Sequence, residues 1–161
     1  MASTLPVPIE FSLPDGWISA PPDEVGAPQA AFVALHPASS EGFTANITIS
    51  GEIRPADVPL SQIADEVVAR LQNGLGRVEV GRRNEVDSGF TQLVRMAVPM
   101  QSGPREVIQF QVFLGLEDKS NPGRRAVLEV VLSATPEQFE KVVEDFQQFL
   151  KTIRLDEKAA R

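Results

Sequence analysis

Apolar and polar residues alternate with a period of two in several short runs, and with a helical period in two longer ones. Ile9, Phe11 and Leu13 alternate with Glu10 and Ser12, as in a half-buried strand. Pro14, Asp15 and Gly16 then impose a turn. A proline-rich loop covers 20–28, a second strand is predicted over 30–35, and a turn over 37–42. Phe43, Ala45, Ile47 and Ile49 alternate with Thr44, Asn46, Thr48 and Ser50, the clearest strand in the chain. A helix begins near Pro59, whose missing N–H costs nothing at the first helical position. Leu60, Ile63, Val67 and Leu71 recur at helical spacing, and Gly74 and Gly76 end the helix.

Four further strands are predicted over 77–84, 89–98, 105–114 and 125–134, with turns at 102–104 and 121–123. The last of them is apolar on nearly both faces, which places it centrally in a sheet. Thr135, Pro136 and Gln138 form a capping box, in which the Thr and Gln side chains satisfy each other's free backbone N–H groups. Phe139, Val142, Val143, Phe146, Leu150 and Ile153 then make one broad apolar helix face. Glu137, Glu140, Lys141, Glu144 and Asp145 solvate the other, and 156–161 reads as a frayed tail. Strands joined by short turns pair antiparallel. The expectation is a single α+β domain over 1–161 with an ordered core of about 9–155. It has one antiparallel β-sheet of about six or seven strands with two main helices packed on it.

A chain of 161 residues buries roughly 70% of its unfolded surface. Its 42% hydrophobic and 23% charged residues are ordinary for a globular protein. A net charge of −7 argues against nucleic acid as a partner, because neutralising phosphates needs a clustered positive surface. The paired arginines Arg82 and Arg83, and Arg124 and Arg125, read as solvated surface. Without cysteine, disulfides, thiol catalysis and thiolate metal ligands are excluded. Residues 1–10 lack the basic start and apolar core of a signal peptide, and a lipid anchor would need a cysteine. No segment approaches the ~20 apolar residues of a membrane span. These features predict a cytoplasmic chain.

Candidate chemistry is sparse. His36, the only histidine, precedes Pro37 at a strand end and is expected to be exposed and inert, because no neighbour marks the partner a general base needs. One histidine and no cysteine make a zinc site implausible. Asp65 and Glu66, like Glu144 and Asp145, are adjacent on helices and point in different directions. The glycines at 74 and 76 follow a helix instead of opening one, so they make no phosphate loop. Asn46, Ile47 and Thr48 match a glycosylation acceptor, but inside a strand. Phe11, Phe43, Phe110, Phe139 and Phe146 fall on apolar faces and read as core, not as base-stacking platforms. No catalytic residue, cofactor or metal site is predicted.

One feature is less ordinary. Thr44, Asn46, Thr48 and Ser50 share one face of their strand, and Val107, Gln109, Gln111 and Phe113 share a face of another. Thr91, Leu93 and Arg95 share a face of a third, and Glu129 interrupts an apolar fourth. If these faces coincide, one side of the sheet packs on helix. The other is lined by hydroxyls, amides and an Arg95–Glu129 pair. Such a face is either plain solvated surface or a docking surface for another protein. On the second reading Asn46, Arg95, Gln109, Gln111 and Glu129 are the contact residues.

The run Phe11-Ser12-Leu13-Pro14-Asp15-Gly16-Trp17 resembles the start of the Mog/PsbP-like superfamily, in which a strand leads into a Pro-x-Gly-Trp turn. Phe43-Thr44-Ala45-Asn46-Ile47 looks like the family's aromatic-x-x-Asn strand before the first helix. The strand over 127–134 running straight into an amphipathic helix fits as well. The resemblance covers about 9–155 and is strongest to bacterial LpqN-type and DcrB-like proteins. It implies an antiparallel sheet with flanking helices used to hold another protein, and no family-wide catalytic residues. The lipid-attachment cysteine of the family's lipoprotein branch is missing here. The leading expectation is a non-enzymatic protein-binding or adaptor module, such as a secretion-associated chaperone. The alternative is a small-ligand-binding protein with a pocket between sheet and helix.

Overall fold

The computed structural model describes residues 5–6, 9–24, 30–37, 43–86, 89–100, 103–117 and 121–155. The tail at 156–161 lies outside them, as do most of the turn at 37–42 and parts of those at 20–28 and 102–104.

Three strands, β2 (Ile18–Ala20), β3 (Phe32–Leu35) and β4 (Asn46–Pro55), follow a two-residue strand β1 (Ile9–Glu10). Helix α1 (Leu60–Leu75) leads to β5 (Val78–Val86), β6 (Gly89–Val98), β7 (Arg105–Glu117) and β8 (Arg124–Ala134). Helix α2 (Pro136–Thr152) and a second short strand, β9 (Arg154–Leu155), close the chain. Seven strands form one antiparallel sheet in the order β2-β3-β4-β8-β7-β6-β5, the α+β architecture expected. β8 is the central strand. Its double-sided apolar pattern has this cause: Val130 and Leu132 face one helix while Val127 faces the other.

Helix α2 begins as its sequence requires, whereas Pro59, expected at the first helical position of α1, stands one residue before it in extended conformation. Pro59 precedes α1, which ends at Gly76, where a φ of 87° turns the chain out of the helix and its N–H bonds to Gln72 O. At α2, Thr135 Oγ1 accepts from Gln138 N at 3.3 Å and Gln138 Oε1 accepts from Thr135 N at 3.0 Å. Gln138 also donates to Phe43 O at 2.7 Å, tying the capping box to the start of β4.

α1 lies over β5, β6 and β7 on one face of the sheet, and α2 over β8 and β7 on the other. Ile63, Ala64 and Val67 of α1 pack on Phe90, Phe113 and Val127, and Val68 packs with Val78, Val94, Met96 and Val107. Val142, Phe146 and Phe149 of α2 pack on Ile47, Ile49, Val112, Val130 and Leu132. The centre of the α2 face is thus Val142–Phe146–Phe149. Val143, expected among the central residues, is only half-buried, and Phe149 replaces it.

The first alternating run departs from expectation. Only Ile9 and Glu10 pair, with Leu155 and Arg154 and outside the main sheet. Phe11 instead meets the edges of Phe32 and Phe149, at centroid distances of 4.7 and 5.4 Å. Ser12 exchanges hydrogen bonds with the Thr152 hydroxyl. Alternation reports a half-buried extended segment; here the buried side rests on α2, so no neighbouring strand is needed. The edge strand is Ile18–Ala20 instead.

The turn before it is as the sequence implied. Gly16 takes φ 88°, and Trp17 N bonds to Pro14 O. The Trp17 ring is buried, donates from Nε1 to Asp145 Oδ2 at 3.0 Å and meets His36 edge-on. His36 is accordingly half-buried, not exposed.

Two measurements check this core. Phe146→Ala, at a fully enclosed site, is expected to cost about 3–5 kcal/mol of stability in denaturant unfolding; a loss below about 1 kcal/mol would make α2 peripheral. Emission from Trp17, the sole tryptophan, should be blue-shifted in the native chain and move red on unfolding. Native emission matching that in denaturant would show an exposed ring.

Candidate functional site

The face of the sheet under α1 carries the polar row read from the sequence, but α1 covers only part of it. Register places Asn46, Ser133 and Gln109 side by side across β4, β8 and β7, then Thr48, Val131 and Gln111, then Ser50, Glu129 and Phe113. α1 covers the β5–β7 side of this array. Between the helix and the exposed β4–β8 side runs a cleft of about 420 Å³. Thr48, Ser50, Gln109 and Glu129 supply its polar floor, and Phe113, Val127 and Val131 its apolar floor. Ile63, Val67, Arg70 and Leu71 of α1 form the wall.

Among the five predicted contact residues, Gln109 and Glu129 meet in this cleft. Asn46 is on the same face, in the row of Gln109 and two rows from Glu129, with its amide donating to Thr44 O. Gln111 is 1% exposed and so is not a surface group. Arg95 is on the opposite face: its register partner is Ile108, an α2-side residue. It bonds Glu106 at 3.1 Å, which excludes the expected Arg95–Glu129 pair. The alternation within β6 was read correctly, but not which of its faces joins the polar rows. A side-chain period of two leaves that choice to pairing register. Gln92, not Arg95, lies on the α1 side.

Gln92 was missed, and it completes a buried relay. Arg83 donates to Gln92 at 3.0 Å, Gln92 to Gln111 at 2.6 Å, Gln111 to Gln109 at 2.8 Å, and Gln109 to Ser133 at 3.1 Å. Arg83 is held in turn by Asp65 at 2.6 Å. Each amide donates in the same direction, so the chain satisfies polar groups that α1 removes from water. Arg83 is nonetheless exposed, as expected, while held by these two bonds. Arg125 departs from the expectation: it is half-buried, and its guanidinium donates to Val58 O at 2.6 Å. As expected of adjacent helical acids, Asp65 and Glu66 diverge: Glu66 takes a bidentate bond from Arg54 at 2.8 and 2.9 Å.

Among the described residues, Arg125 Nε is the buried side-chain atom left without a partner, and the half-buried Glu129 also stands outside this network. Glu129 sits on the central strand in the cleft floor, with no hydrogen bond or ion pair to any described residue. Burial pushes its carboxyl above the ordinary 4.5; Arg70 opposes the shift and Glu52 adds to it. No group of three or more acidic or histidine side chains among the described residues could hold a metal ion. His36 does not line the cleft.

Glu129 gives a pH-dependent expectation. The folded chain holds the Glu129 proton at pH values where the unfolded chain has released it. This residue's contribution to stability therefore falls as pH rises above about 4.5. Glu129→Gln should stabilise the chain at pH 7.5, on the order of 1 kcal/mol, and the gain should vanish at pH 4. Urea unfolding at the two pH values checks it. Equal stability of the two proteins at both would mean a fully solvated carboxylate.

No protein-family model matches the chain, and no curated protein matches it. Solved structures do. LpqN of Mycobacterium tuberculosis, described as involved in cell envelope biogenesis, matches with a TM-score of 0.62 at 11% identity, over 91% of this chain and 82% of that one. PA94 of Pseudomonas aeruginosa, of unknown function, matches with a TM-score of 0.54 at 20% identity, over 74% and 78%. Cyanobacterial PsbP (CyanoP) from Synechocystis sp. PCC 6803 gives a TM-score of 0.49 at 16% identity, over 91% and 86%. These identities speak for the fold alone. With its seven-stranded antiparallel sheet and two helices, the chain shares the fold of LpqN.

Proposed function

We propose that the chain is a non-enzymatic protein-binding module that holds its partner at the cleft beside α1. The observation that carries this reading is the cleft itself: about 420 Å³ of space lined by both apolar and polar side chains, with a carboxylate on its floor that no described residue bonds. Apolar lining with a few converging polar groups is how binding sites are built. A catalytic reading would need an acid or base oriented by a partner, whereas Glu129 has none and His36 stands elsewhere. No helix among the described residues is long and apolar enough to cross a membrane.

The same volume favours a second reading, a small molecule held between sheet and helix. Site-specific photocrosslinking separates the two. A benzophenone side chain at Ser50, in the cleft, is compared in cells with one at Glu140 on the exposed surface of α2. A discrete protein adduct from position 50 alone is the expected result. Equal adducts from both positions, or none from either, would defeat the reading. A small molecule retained in native mass spectrometry, without a protein adduct, would replace it with the second.

A further inference from the structure

The cleft's charges are not balanced. Glu52, Glu66 and Glu129 stand in or beside it against Arg54 and Arg70. Arg54 is spent on Glu66 and Glu52, at 2.8 and 3.1 Å. That pairing accounts for two of the carboxylates and holds Arg54 at the margin. Arg70, on the exposed side of α1, bonds no carboxylate and acts on Glu129 only through its field. Among the described residues, Glu129 is left as the desolvated carboxylate of the cleft with no hydrogen bond or ion pair, opposed only by the field of Arg70.

The surroundings of Glu129 state what would neutralise it. Ser50 is its direct cross-strand neighbour on β4 and Phe113 its neighbour on β7. Neighbours in such a row have Cβ atoms about 5 Å apart, so a hydroxyl and an aromatic ring flank the carboxylate. Thr48 adds a second hydroxyl one row along, and both hydroxyls line the cleft. A group entering here meets hydrogen-bond acceptors at one end and Phe113, Val127 and Val131 along its length. That arrangement suits a planar cation on an apolar stem. A guanidinium bonds a carboxylate through two parallel N–H groups, has further N–H groups for the hydroxyls, and is less strongly hydrated than an ammonium.

Building on the cleft as the binding site, we propose that its occupant is an arginine side chain of the partner protein, seated on Glu129 between Ser50 and Phe113. The stem lies along the apolar floor, and the guanidinium supplies the charge that Glu129 lacks. A cation seated there favours the ionised carboxylate that burial disfavours in the free chain.

The test uses the side chain itself. The labelled full chain is titrated by NMR with n-butylguanidinium and with n-butylurea, its neutral isostere, following the backbone amides of β4 and β8. The guanidinium is expected to shift amides around Ser50 and Glu129 and to bind at least tenfold more tightly than the urea. In Glu129→Gln, whose spectrum reports that the fold is kept, the two probes should bind alike. Equal binding of the two probes at the cleft of the natural chain would overturn the arginine proposal and leave the cleft reading standing. So would a preference for guanidinium that survives in Glu129→Gln. Shifts confined to other surfaces, or no shifts, would overturn both. Finally, an acetylated, amidated Leu-Arg-Leu peptide should bind at the cleft more tightly than its citrulline counterpart; no difference would exclude an arginine in a protein context.

Discussion

A seven-stranded sheet is roughly 29 Å across at ~4.8 Å per strand interval, while a helix with its side chains is only about 10–12 Å thick. One helix therefore cannot close a face of this sheet, and the chain has two main helices for two faces. Most of the molecule follows from this shortfall. α2 is placed where the apolar side of β4, β8 and β7 is densest, and the N-terminal segment, through Phe11 and Leu13, extends its cover. α1 is placed over β5–β7, where Phe90, Phe113, Val94 and Met96 face it. The β4–β8 side of the α1 face is left over, and there the cleft forms.

The polar groups on that face divide according to this coverage. Under α1, where water is excluded, Gln92 and Gln111 are joined in a relay from Arg83 to Ser133 and none of their hydrogen-bonding capacity is stranded. Beside α1, Thr48, Ser50 and Glu129 face open space instead. A buried amide without a partner costs about 1–3 kcal/mol, so the relay is what allows α1 to sit on glutamines at all. Glu129 sits between the two regimes: deep enough to be desolvated, yet beyond the reach of the relay. An ionisable group held in this state in a cleft is a candidate for a functional site.

The likeness to LpqN extends over nine-tenths of the chain at 11% identity. A shared fold at that distance carries a shared framework and leaves the chemistry to the side chains grafted on it. The framework here supplies a rigid floor, because Glu129 is on the central strand, hydrogen-bonded to a neighbour on both sides. A group presented from such a strand is held more firmly than one on a loop.

Whatever depends on residues near one another in the chain could be read directly from it. The capping box at Thr135 and Gln138, the turn at Pro14–Trp17, the helical spacing of Ile63, Val67 and Leu71, and the double-sided apolar run of β8 are local patterns. Each is imposed by backbone hydrogen-bond satisfaction or by side-chain periodicity. The polar rows on β4 and β7 were legible for the same reason, and with them Gln109 and Glu129. Whatever depends on which face meets which was settled only by the tertiary structure. Periodicity says that Thr91, Leu93 and Arg95 point together but not toward what, so Arg95 was placed on the wrong side and Gln92 was overlooked. It says that Ile9, Phe11 and Leu13 are half-buried but not that α2 buries them. It does not say that α1 would cover Gln111 and stop short of Glu129, because the reach of a helix across a sheet is set by packing between elements far apart in sequence. That last difference, between a glutamine enclosed and a glutamate left beside the helix, is what opens a cleft on an otherwise ordinary sheet face.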